Sequence, residues 1–299
     1  SLRFSFLLPS LLASLGTLAL VRDLGRRLWN PQAGAYAAWA LLFAFQFTFQ
    51  AKRAQIDPLV VFCITLSVYG ILRHLLRGPD LKWWLIGWCA AGLGVISEGV
   101  GVIALLVLIP AAFAWWRAWP GIGRVRGVAW LGGIGMLLLP ILLWLIPMLL
   151  TVKTSGDPAL QGYADNILLK QTAERYAKAW HHHQPWWYFL MVMATQWLPA
   201  VVAVPFIAPR WRDALKARDP RVLLLLGWVA CVVLFFSLSS GKREVYILPA
   251  LPMLCVAMGP WLGGVVERRG VRIGAVSAAV VFAVVLLGAG LAAALGHPG

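Results

Sequence analysis

Four short polar clusters interrupt an otherwise apolar chain, and each holds residue types able to do chemistry. Ser239-Ser240-Gly241-Lys242-Arg243-Glu244-Val245-Tyr246 sets two adjacent cations and a phenol in one tight turn. A phosphate would be held by such a set: Lys242 as a point charge, Arg243 beside it and Tyr246 as a hydroxyl donor. The plainer reading is that the two cations neutralise lipid head groups. Lys52-Arg53-Ala54-Gln55-Ile56-Asp57-Pro58 brings two more cations and Asp57, which the following proline marks as a helix N-cap and which can also serve as a carboxylate facing a cavity. Ser97-Glu98-Gly99 places Glu98 inside an apolar run, where a carboxylate must pair, take up a proton or face water. His181-His182-His183-Gln184-Pro185-Trp186-Trp187-Tyr188 ends in aromatics suited to a membrane interface. Adjacent histidines cannot share one helical face, so a metal ion at His183 would need ligands from elsewhere.

The elements that carry these clusters follow from composition. Of 299 residues, 61% are hydrophobic and 12% charged, too little polar surface for a water-soluble particle of this size. Apolar runs recur near the roughly 20 residues that a helix needs to cross about 30 Å of hydrocarbon, and they lack the alternation of a barrel strand. The expected fold is therefore all-α: a polytopic membrane helix bundle of about ten spans, forming a single transmembrane domain over 1–299. The spans fall near 4–21, 33–51, 58–73, 83–96, 99–116, 128–150, 186–207, 222–240, 246–264 and 273–296. The run at 83–96 covers only about 21 Å at about 1.5 Å per residue, which would leave the Glu98 turn below the outer surface.

Connections alternate between two classes. One comprises 22–31, 73–82, 117–126, 208–221 and 267–272 and holds 17 Lys and Arg residues; the other comprises 52–57, the turn at Glu98, 151–185 and 241–245 and holds 8. The first class is thereby assigned to the cytoplasm, and all four clusters to the opposite face. The +15 net charge follows from this bias and points to anionic membrane lipids, with no nucleic-acid partner. Cys63, Cys89, Cys231 and Cys255 sit in apolar spans as small hydrophobes, and no disulfide is expected. The connection 151–185 is long for a helix link and carries its own helical period, with Tyr163, Ile167, Ala173, Ala177 and Trp180 opposite Asp165, Lys170, Glu174 and Lys178, as in an interfacial helix. Residue 1 is Ser1 and falls on the extracytoplasmic side, so an upstream helix and external segment are expected.

In their motifs these residues resemble the GT-C superfamily of glycosyltransferases that use polyprenyl-phosphate sugars, near bacterial protein O-mannosyltransferases and lipid A aminoarabinose transferases. The match runs through Arg53-Ala54-Gln55-Ile56-Asp57-Pro58, Gly92 to Gly101, His183 to Tyr188, and Phe236-Ser237-Leu238 through Gly241-Lys242 to Tyr246-Ile247-Leu248-Pro249 and Pro252. The resemblance implies transfer of a hexosyl or pentosyl group, with inversion, from a polyprenyl-phosphate donor to a lipid (such as lipid A), protein or glycan acceptor. The active face would be the extracytoplasmic side of the bacterial inner membrane. Lys242, with Arg243, would stabilise the leaving phosphate, and His183 would be one ligand in a member using a divalent metal. Two departures stand out. Glu98 replaces a lysine usual in the family's Thr-Lys-Gly, and the family's catalytic acid pair, in its first external loop, has no counterpart here. The general base is accordingly expected upstream of Ser1, and the chain alone is expected to be inactive. The alternatives from other classes are a secondary transporter or flippase-like carrier, which would show inverted repeats, and an O-antigen polymerase or ligase.

Overall fold

The computed structural model describes residues 2–155, 162, 184–239 and 241–274, and the single positions 277, 280, 284, 287 and 288. The chain runs α1 (Leu2–Leu28), α2 (Pro31–Phe43), α3 (Phe45–Ala51), α4 (Asp57–Leu76), α5 (Leu81–Glu98), a 3₁₀ stretch Gly101–Val107 leading into α6 (Leu108–Trp116), α7 (Gly127–Ser155), α8 (Tyr188–Gln196), a 3₁₀ turn Ala200–Ala203 leading into α9 (Val204–Lys216), α10 (Pro220–Leu238), a 3₁₀ turn Glu244–Ile247 and α11 (Ala250–Val266). Large apolar side chains point outward along α1, α6, α7 and α8, as lipid requires of a spanning bundle. The fold is an all-helical polytopic bundle.

The count of ten spans is not what the described residues supply. Four helices are long and apolar enough to cross a bilayer: Ser5–Leu28, Asp57–Leu76, Gly127–Ser155 and Pro220–Leu238. A fifth crossing is bent by 99° between Tyr188–Gln196 and Ala200–Lys216, and Gly101–Trp116 and Ala250–Val266 are shorter apolar helices. Expected spans are broken at backbone positions that hydropathy does not register. Ala44 is extended (ψ 123°) and divides α2 from α3. The 3₁₀ stretch rises about 2.0 Å per residue against about 1.5 Å in α6, so the sixteen residues Gly101–Trp116 still cover about 28 Å. The expected span at 273–296 and most of 151–185, with its interfacial helix, lie outside the described residues.

Helix starts at one end are set by side-chain caps: Asn30 accepts from Ala33 N–H (2.8 Å), Asp80 from Trp83 N–H (3.3 Å) and Asp219 from Arg221 N–H (2.9 Å). The same end is cross-tied. Arg221 Nη1 donates to the Leu28 carbonyl (2.8 Å), Gly123 N–H to the Leu75 carbonyl (2.7 Å), and Arg73 pairs with Asp80 (3.2 Å). Four of the five connections in the basic class thus meet at one end. At the other, Ser10 Oγ donates to the Gln55 carbonyl (2.9 Å), Gln46 Nε2 to the Glu244 carbonyl (2.7 Å) and Lys242 Nζ to the Gln184 carbonyl (3.2 Å). These bonds bring 52–57, the end of the long connection and 241–245 together, so the two charge classes sort to opposite ends of the bundle.

Close helix packing depends on small residues, as expected where lipid supplies no hydrophobic drive between helices. A Cβ added at Gly70 of α4 would lie 2.3 Å from the Trp83 carbonyl oxygen of α5. Gly70→Val should therefore force α4 and α5 apart and cost about 2–3 kcal/mol. Gly135→Val on α7, where nothing lies within 4 Å of the added carbon, should leave the thermal unfolding midpoint of the detergent-purified protein unchanged. Equal midpoints for both variants would show that the α4 and α5 approach contributes nothing.

Candidate functional site

The end of the bundle that gathers 52–57, 184–188 and 241–247 is built on three supports. α10 stops at Leu238, with Ser239 extended (ψ 140°), which turns the chain across the bundle end. Glu244–Ile247 then winds as a 3₁₀ turn whose start is held from below, because the Glu244 carbonyl accepts from Gln46 Nε2. Gln46 in turn accepts from the indole Nε1 of Trp197 (2.8 Å). Gln46 is 1% and Trp197 0% exposed, so these bonds form a dry hub joining α3, the 241–247 turn and the segment after α8.

Lys242 lies on this platform and is only 6% exposed. Its ammonium donates to the Ser239 carbonyl (2.7 Å) and the Gln184 carbonyl (3.2 Å), and no carboxylate pairs with it among the described residues. An ammonium has three donors, so one remains for a further acceptor. Burial of a cation without a counter-charge is costly, and neutral carbonyls offset that cost only in part. The site is electrostatically incomplete and complementary to an anion.

The other expected site residues take different places. Arg243 is exposed and extended (φ −124°), immediately beside Lys242. Tyr246 is half-buried with its ring 5.3 Å from Phe236, and its hydroxyl makes no hydrogen bond among the described residues. Tyr188 reaches the Glu244 carboxylate at 3.4 Å, which joins the His183 to Tyr188 motif to the Lys242 turn. Lys52 and Arg53 are exposed at the end of α3, with the Arg53 guanidinium 4.0 Å from the Phe49 ring centroid. A narrow cleft at the same end of the bundle is lined by Ser14, Phe47, Gln50, Pro58, Val61 and Leu248. Within it the buried Gln50 Oε1 has no hydrogen-bond partner among the described residues.

Two expectations are corrected. Asp57 is not the N-cap of α4. Ile56 holds that position, its carbonyl accepting from Leu59 and Val60, and Asp57 is the first helical residue, where its charge favours the helix N-terminus without a side-chain bond. Nor is the helix before Gly99 short: Asp80 caps it two residues earlier than expected, and Gly99 ends it in the left-handed region (φ 79°). α5 is 18 residues and about 27 Å long, so Glu98 is half-buried at a full-length helix end, where it has an interaction partner. His183 lies outside the described residues, and no three His, Cys, Asp or Glu among those described are grouped to hold a metal ion.

The motifs had not pointed to Gln46, Trp197 or the Gln184 carbonyl. Gln46 and Gln50 did carry a signal, two amides one helical turn apart in an apolar run, which in a membrane marks an inward-facing polar stripe.

Residues 1–146 match the family described as dolichyl-phosphate-mannose-protein mannosyltransferase. Over 242 residues the chain is 30% identical to an undecaprenyl phosphate-alpha-4-amino-4-deoxy-L-arabinose arabinosyl transferase of Pseudomonas fluorescens, covering 79% of this chain and 42% of the relative. A second such transferase, from Pseudomonas aeruginosa, is 28% identical over 262 residues, 86% of this chain and 45% of the relative. The chain is similar in sequence to these sugar transferases. It spans less than half the length of these curated relatives. Its fold matches the crystal structure of ArnT from Cupriavidus metallidurans bound to undecaprenyl phosphate, with TM-score 0.66 at 20% identity over 85% of this chain and 45% of that one. The apo structure of the same protein matches with TM-score 0.68 at 21% identity, over 96% and 50%.

Proposed function

We propose that the full-length protein transfers a sugar from a polyprenyl-phosphate donor to a lipid, protein or glycan acceptor at the extracytoplasmic face of the bacterial inner membrane. The observation that carries this reading is the buried Lys242, its ammonium held by two carbonyls with no carboxylate partner among the described residues. A lipid whose tail stays in the bilayer presents its phosphate at the level of a helix end, where Lys242 sits one short turn beyond α10. Negative charge grows on that phosphate as the sugar leaves, so a preorganised cation there favours the transition state over the ground state. Arg243, exposed at the mouth, and the Tyr246 hydroxyl are the neighbouring donors proposed to complete the phosphate site. Lys52, Arg53, Asp57 and Glu98 line the same end as further polar groups toward donor or acceptor. The arabinosyl transferases among the relatives support an undecaprenyl-phosphate aminoarabinose donor within this class, and lipid A is one of the acceptors that the motif resemblance allows.

Sorting of the two connection classes supports this sidedness, since the end opposite Lys242 carries most of the basic residues. The general base is proposed to lie in a first external loop before Ser1. Glu244, the carboxylate two residues after Lys242 in the chain, is engaged by Tyr188 instead. A carrier or a polymerase has no comparable observation in its favour. Full-length protein in proteoliposomes should transfer sugar from undecaprenyl-phosphate aminoarabinose or mannose to lipid A, protein or glycan acceptors, as read by mass spectrometry, while the 299-residue chain alone should not. Absence of transfer from every donor, together with failure to bind undecaprenyl phosphate, would overturn the proposal.

A further inference from the structure

A second charged cavity opens at the far end of α10, 19 residues and about 28 Å from the Lys242 turn. It is a largely open recess of about 430 Å³ between the ends of α1, α4 and α9 and the start of α10, lined by the exposed Arg77 and Arg218, by Arg221 and Asp219, and by Leu28 and Leu76 on its apolar side. That volume falls within the roughly 300–1,000 Å³ typical of small-ligand sites. Three cations face one acid, and the acid is already used: Asp219 takes Arg221 in a bidentate pair at 2.7–3.1 Å. Arg221 also donates to the Leu28 carbonyl and lies 5.3 Å from the Trp29 ring centroid, so it belongs to the wall. Arg77 and Arg218 have no carboxylate partner among the described residues.

The backbone around the cavity is unusual. Among the described non-glycine residues, only Ala118 (φ 49°) and Arg218 (φ 58°) are left-handed, and both end helices that reach this end of the bundle. Arg218 occupies the position after α9 where glycine is the common choice, with Asp219 N–H returning to the Ala214 carbonyl (3.0 Å). Glycine would adopt this conformation at less cost than arginine does.

We propose that this cavity binds a phosphate anion, with Arg77 and Arg218 as its ligands, at the end of the bundle opposite the donor site. Two sources supply that chemistry: the head group of an anionic phospholipid, reached past Leu28 and Leu76, and a soluble phosphate. This site does not depend on what Lys242 binds.

The test titrates detergent-purified full-length protein with short-chain phosphatidylglycerol and, separately, with inorganic phosphate, following the thermal midpoint and bound lipid by native mass spectrometry. The combined variant Arg77→Gln and Arg218→Gly should bind phosphatidylglycerol about thirtyfold more weakly, from roughly fivefold per arginine. Arg124→Gln with Arg212→Gln, equally exposed arginines at the same end that do not line the recess, should bind as wild type. Without lipid, Arg218→Gly alone should match or exceed the wild-type midpoint because glycine relieves the left-handed backbone, so its lost binding cannot be put down to misfolding. Inorganic phosphate that displaces the lipid identifies the phosphate group alone as the ligand; phosphatidylglycerol binding that resists it identifies the lipid, and either supports the site. Equal affinity in wild type and the Arg77 and Arg218 variant, or equal loss in the control pair, overturns it. Lys242→Met carried in parallel should leave this binding unchanged, which keeps a failure here distinct from a failure of the proposed function.

Discussion

Lys242→Met in the full-length protein is expected to weaken binding of a polyprenyl-phosphate donor by ten- to hundredfold. A charge-assisted contact to phosphate is typically worth about 1.5–3 kcal/mol, and methionine fills the space of the lysine stem while removing its charge. The structure places this ammonium at 6% exposure, with Ser239 and Gln184 carbonyls on two of its donors, so water cannot substitute freely for it. Arg243 adjoins it and is exposed, and shared contact with the donor would move the effect toward the low end. Donor affinity and transfer rate at saturating donor should both fall. Lys216→Ala, at the end of α9 on the other side of the bundle, should change neither. Wild-type donor binding and turnover in Lys242→Met would reduce the turn to a head-group anchor.

Gln46→Leu should be more damaging to the fold and should also reach the donor site without touching donor. Leucine leaves the Trp197 indole N–H, at 0% exposure, with no acceptor, and frees the Glu244 carbonyl. A buried donor left unpaired costs about 1–3 kcal/mol, and the lost carbonyl bond adds about 1 kcal/mol because that carbonyl can turn to water. The thermal midpoint should fall accordingly. Glu244 opens the turn two residues after Lys242, so donor affinity should fall as well, while Trp197→Phe, which removes one bond and leaves the turn pinned, should lower stability with a smaller effect on donor. A Gln46→Leu protein that melts as wild type would show that the hub carries no strain-free positioning role.

Much of this site was legible because charge in an apolar chain is conspicuous. Lys242, Arg243 and Tyr246 stand out by type, and counting basic residues sorts the connections into two groups that the bundle then gathers at opposite ends. Pairing is less visible. Nothing in the identity of Ala44 announces a break, because alanine is a good helix former, and the extended backbone there is imposed by packing: Phe45 N–H leaves the helix to donate to the Leu198 carbonyl (2.9 Å). The 3₁₀ stretch after Gly99 has the same apolar composition as an α-helix. Asp57 shows how a local rule can miss by one residue, since Asp before Pro fits a cap and also fits a first helical turn. Gln46 stands out as an amide in an apolar run, but only its partners 151 and 198 positions away reveal its use.

α7 has a consequence of another kind. Of its 29 residues only Gly133 and Pro140 are buried, and its Leu131, Leu143, Ile146 and Leu150 face outward. Natural selection can then see most of this helix only as an average of oiliness. Across species its letters should drift among leucine, isoleucine, valine and alanine with little penalty. Two positions should resist that drift: Gly133, where any side chain would meet the Trp88 ring at 2.8 Å, and, on the facing α5, Gly92, where an added carbon would lie 2.3 Å from the Leu137 carbonyl oxygen of α7. Fixed points in a freely varying helix would date the α5 and α7 contact as an inheritance older than the sequences that now surround it.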